Sequence, residues 1–129
     1  MENEHLDALM FFEGRPRAYS LYKTFLSKLT VAVGEYNTEV QKTQITLSNK
    51  RVFACVSQMK VRRKAELPPD YIVITFGLNR PLESPRIAAK TEPYPERWTH
   101  HVVISSPDEI DGELTEWVRE AYTFSAAKR

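Results

Sequence analysis

The apolar residues of this chain change their repeat twice, and that change limits the folds open to it. From Pro16 to Val33, the residues Ala18, Leu21, Tyr22, Phe25, Leu29 and Ala32 recur at three- and four-residue spacing, which predicts an amphipathic helix. The turn Glu13-Gly14-Arg15-Pro16 precedes it, and Gly34 stands where a left-handed terminator is expected. A first helix, Glu2 to about Phe12, places Leu6, Leu9 and Met10 on one face. From Lys42 the period falls to two. Ile45 and Leu47 alternate with Thr46 and Ser48, as in a half-buried strand, and Ser48-Asn49-Lys50 reads as a hairpin turn. The stretch Arg51–Ser57 is apolar on both faces and is expected inside a sheet, while Tyr71–Phe76 is rich in β-branched and aromatic residues. Prolines punctuate Gly77–Pro95, which predicts an ordered loop there. Thr99–Ile104 reads as the last strand. The helical period then returns with Ile110, Leu114, Trp117, Val118 and Ala121, behind the capping box Ser106-Pro107-Asp108-Glu109.

Helices at both ends and strands between them predict an α+β two-layer sandwich. Its antiparallel sheet is expected to have about four to five strands, flanked by N-terminal helices and a C-terminal helix. A parallel doubly wound sheet is disfavoured, because consecutive strands lack helical crossovers. No repeat or linker divides the 129 residues, so residues 1–129 are expected to form one domain.

The strings FFEGRP, KTQITLSNKRVFACVS, YIVITFGL, SPRI, EPYPERWTHHVV and SSPDEIDGEL occur in this order over nearly the whole chain. In them the chain resembles a bacterial family, the domain of unknown function 5655. The resemblance implies a small single domain, found alone or as a C-terminal module beside others, some of them nuclease-like or labelled as predicted transport proteins. It carries over no catalytic residue.

The segment RWTHHVVI, Arg97–Ile104, holds two of the three histidines. Successive side chains of a strand point to opposite faces, so His100 is expected beside Trp98, Val102 and Ile104, and His101 beside Thr99 and Val103. Diverging imidazoles do not chelate one ion; with one cysteine in the chain and His5 distant, no metal site is expected. Cys55, amid apolar neighbours, reads as an inert small hydrophobe. No nucleophile elbow, phosphate-binding glycine loop, dinucleotide fingerprint or zinc-protease motif is present. No catalytic residue and no cofactor is therefore assigned, and enzymatic activity is not favoured.

What remains is binding. Lys42, Arg51, Arg62, Arg63, Arg80, Arg86 and Arg97 stand at strand ends or in loops. Several can gather beside Gln44, Thr46 and the outward histidine, or else pair with Glu66, Glu83, Glu92 and Glu96. Trp98 is placed to stack on a ligand or to close the edge of the core. The candidate binding residues are thus Lys42, Gln44, Arg51, Arg86, Arg97, Trp98, His100 and His101. Guanidinium forks beside amides suit phosphate or carboxylate, and the stiff aromatic loops suit a protein partner. The expected function is a non-enzymatic module for an anionic small molecule or a protein, with homodimerisation left open. Nucleic-acid binding through Lys60-Val61-Arg62-Arg63-Lys64 is the alternative, and a small His/Cys enzyme ranks below it. A net charge of +1 gives no global attraction to polyanions. No apolar run approaches a membrane span, and one cysteine suits a reducing cytoplasm.

Overall fold

In the computed structural model, residues 2–127 are described; the side chains of residues 2–5, His5 among them, and of Lys64 lie outside that description. Helix α1 (Glu2–Phe11) leads through a turn into α2 (Pro16–Val33). Pro16 opens α2 because its missing N–H and fixed φ suit a first turn. Gly34, at φ 85°, ends it and donates its N–H to the Thr30 carbonyl at 2.9 Å. Six strands follow: β1 (Asn37–Val40), β2 (Gln44–Ser48), β3 (Val52–Ser57), β4 (Ile72–Leu78), β5 (Ile87–Tyr94) and β6 (Arg97–Ile104). They form one antiparallel sheet in the order β1-β2-β3-β4-β6-β5. Helix α3 (Gly112–Ala127) closes the chain.

The sheet is wider than the four to five strands expected. β1 has only the four residues Asn-Thr-Glu-Val, too few for a period, and it exists through its pairing with β2 and its packing with α1. β5 occupies much of the stretch expected to be a loop. Its Pro93 sits on an edge strand, within a break of the β5–β6 register, where proline is tolerated. Register shifts between Ile87 and Ala89 and between Thr91 and Tyr94 accommodate the irregularity.

α2 and α3 pack on each other and against β4, with α3 also on β3. The core joins Ala18, Leu21, Phe25 and Leu29 of α2 and Leu114 and Val118 of α3 to alternate sheet residues, among them Ile45, Leu47, Ala54, Val56, Ile72, Ile74, Phe76 and Val102. Two local expectations are corrected. Ala8 of α1 and Phe12, in the turn just after it, reach the core, whereas Leu6, Leu9 and Met10 are exposed. The stripe therefore runs on the face opposite to the one the larger residues suggested. The capping box of Ser106 and Glu109 is present, but it closes a separate 3₁₀ turn, Pro107–Glu109. α3 begins later, where Asp111 Oδ1 accepts the Leu114 N–H at 3.0 Å. Among the described residues no helix is long and apolar enough to cross a membrane.

Candidate functional site

Because side chains alternate along each strand, every second residue of β2, β3, β4 and β6 faces away from α2 and α3. The register aligns one residue from each strand on that far face. Thr46 pairs with Cys55, Cys55 with Thr75, and Thr75 with His101. Glu39 of β1 and Ala89 of β5 complete the row at its two ends. Ser57, Val73 and Val103 form the neighbouring row, in which Ser57 and Val73 are buried and Val103 half-buried.

Neighbours in the row interact side to side. Thr75 Oγ1 and His101 Nδ1 lie 2.8 Å apart, and Thr75 stands directly across from Cys55, where its hydroxyl favours the thiolate. Thr46 Oγ1 donates to the Glu39 carbonyl at 3.4 Å. Burial pushes the Cys55 thiol above its ordinary value, which the Thr75 hydroxyl only partly offsets. Burial likewise lowers the pKa of His101. At neutral pH the thiol keeps its proton and the imidazole is uncharged. Apart from the exposed Glu39 carboxylate at its β1 end, the row therefore presents uncharged donors and acceptors, with Thr46 buried and Cys55, Thr75 and His101 half-buried. Backbone amides of β3, β4 and β6 are committed to ladders on both sides, so they supply no donors aimed at a developing oxyanion.

His100 points the other way. It is fully buried, stacked on Phe76 with ring centroids 5.2 Å apart, and its Nε2 accepts the Leu82 N–H at 3.0 Å. Trp98 is half-buried opposite Leu78, on the side covered by the helices. The structure thus separates the two adjacent imidazoles, as strand alternation requires. Among the described residues no group of three or more His, Cys, Asp or Glu side chains is placed to hold a metal ion.

The four candidate cations do not converge on either histidine. Lys42 is exposed in the β1–β2 turn, and Arg51 is exposed beyond the other end of that hairpin. Arg97 is exposed at the tip joining β5 to β6, opposite Tyr94. Arg86 is occupied internally. Its Nη1 donates to Asp111 Oδ1 at 2.9 Å and Glu113 Oε1 at 3.0 Å, its Nη2 donates to the Glu109 carbonyl at 2.6 Å, and the guanidinium lies over Trp117. Of the eight candidates, Gln44 and His101 share the far face, and Gln44 Nε2 donates to Gln41 Oε1 at 3.3 Å. Sequence reasoning overlooked Thr75 altogether. Its one available signal was a lone hydroxyl inside the apolar run Ile72–Phe76.

No curated protein and no solved structure matches the chain. One family does, over residues 10–125, and it is described as a domain of unknown function, DUF5655. An antiparallel six-stranded sheet with a hydroxyl–thiol–imidazole row on its far face is the architecture of a chain that belongs to the DUF5655 family.

Proposed function

We propose that this chain is a non-enzymatic binding module that engages a protein partner through the far face of its sheet, centred on His101. We read the arrangement as a two-layer sandwich, helices on one side and a contact surface on the other. The observation that carries the reading is the in-register row Thr46–Cys55–Thr75–His101. It offers neutral hydrogen-bonding groups on rigid interior strands, a preorganised surface that costs little ordering on binding. A protein partner is favoured over a small anion because three of the cations around the sheet are engaged, while Lys42, Arg51 and Arg97 stand exposed at separate strand ends and turns. Arg86 is held by Asp111 and Glu113, Arg80 by Glu120 and Lys90 by Glu83. An uncharged thiol and imidazole without adjacent oxyanion donors support binding rather than catalysis. The reducing cytoplasm suits a surface that contains a free thiol.

The test is selection of displayed peptides on the wild-type protein, with the Thr75→Val/His101→Ala double variant as counter-target. Peptides are expected to bind with backbone shifts at Thr46, Cys55, Thr75 and His101, and to lose about tenfold or more in affinity on the double variant, as one or two hydrogen bonds imply. Selected peptides that shift only Arg51 and Arg97 would contradict the reading. So would binding of a short oligonucleotide with a steep loss of affinity in salt, which would favour the nucleic-acid alternative.

A further inference from the structure

We propose that His100 is an acid-released latch on the segment joining β4 to β5, residues 79–86. The geometry has three parts. First, the imidazole is fully buried between strand and helix side chains, stacked on Phe76, which in turn stacks on Trp117 of α3. Second, its Nε2 is an acceptor, and the group it accepts is the N–H of Leu82, the one residue of the segment whose side chain joins the core. Third, the Leu82 carbonyl is held by Lys90 Nζ at 3.0 Å, and the same ammonium reaches Glu83 Oε1 at 2.8 Å. The segment is therefore pinned at Leu82 through both its backbone N–H and its carbonyl. One pin depends on an unprotonated nitrogen.

A proton on Nε2 turns the acceptor into a donor facing another donor, and the Leu82 N–H loses its partner. The surroundings do not compensate the new charge. Lys90, Arg80 and His101 all disfavour it, as burial does most strongly, and only the backbone of Phe76 acts in the opposite sense. The nearby carboxylates are already paired, Glu83 with Lys90 and Glu120 with Arg80. Opening the segment relieves the conflict, because it lets water reach the ring and frees Leu82 from the core. The sign follows from linkage. The open state binds the proton with an ordinary affinity near pH 6.5, and the closed state binds it only at lower pH. Opening is therefore favoured as pH falls through and below about 6.5. This inference does not depend on the far-face contact surface, since His100 and His101 lie on opposite sides of the sheet.

Amide hydrogen exchange of the wild-type protein, expressed as protection factors, tests it. The Leu82 amide is expected to lose protection by up to about tenfold per unit of pH lowered below about 6.5. The Ile74 amide in the interior strand is expected to keep higher protection throughout. In His100→Gln, whose amide oxygen accepts without titrating, the Leu82 amide is expected to lose this pH dependence. Equal loss at Leu82 and Ile74 would overturn the proposal, because it reports global unfolding instead of a local latch. Leu82 protection that stays constant while the His100 ring titrates would overturn it as well. Because both outcomes are read on the wild-type chain, the test stands even where the variant does not fold.

Discussion

His101 Nδ1 lies 2.8 Å from Thr75 Oγ1 on one side of the sheet, while His100, its neighbour in sequence, accepts the Leu82 N–H on the other. The backbone between them carries one ring into the core and the other onto the far face of the sheet. Both rings are held below their ordinary pKa, mainly by burial.

The pH dependence of stability follows from those two rings. The unfolded chain takes up protons near pH 6.5, whereas the folded chain resists them until lower pH. Stability is expected to be fully present above about pH 7 and to fall steadily toward about pH 5. Urea midpoints across that range check the sign. A midpoint that rises on acidification would contradict the placement of both rings.

Thr75→Val keeps the shape of the side chain and removes the hydroxyl. It is expected to cost about 1 kcal/mol, the net value of an ordinary hydrogen bond. The same change removes the one group that favours the Cys55 thiolate. Cys55 is expected to react with a thiol reagent far more slowly in the folded wild type than in urea, and more slowly still in Thr75→Val. Labelling rates at neutral pH give the comparison.

Arg86 and Arg97 look alike in the sequence and differ in their surroundings. Arg86→Lys forfeits the fork that reaches Asp111, Glu113 and the Glu109 carbonyl together, and a loss of about 1–2 kcal/mol is expected after allowance for the exposure of both carboxylates. Arg97→Ala, at an exposed hairpin tip, is expected to stay within about 0.5 kcal/mol of the wild type. Chemical denaturation of the two variants side by side decides the point.

The turn from β5 to β6 places Glu96 at φ 62°, a conformation that side chains with a Cβ adopt at a cost. Glu96→Gly is expected to raise stability by about 0.5–1 kcal/mol, the strain relieved minus the entropy glycine adds to the unfolded chain. Glu96→Val is expected to lower it. Thermal melts of both variants test the prediction through the opposite signs.

The sequence by itself determined what local periodicity encodes. The three-and-four spacing of α2, the alternation in β2, the apolar run of β4 and the divergence of His100 from His101 all follow from geometry within one element. Gly34 ends α2 as expected because its φ is a local property. Only the tertiary structure decided the rest. β1 and β5 are edge strands whose residues carry no period, and their pairing comes from the neighbours β2 and β6. Thr75 acquires its role when β3 and β6 bring a thiol and an imidazole to either side of it. Arg86 and Arg97 carry the same charge, but one meets two carboxylates from α3 and its approach while the other meets solvent. Side-chain direction repeats along a strand and is written locally, whereas partners across a sheet are set by register, which depends on residues distant in the chain.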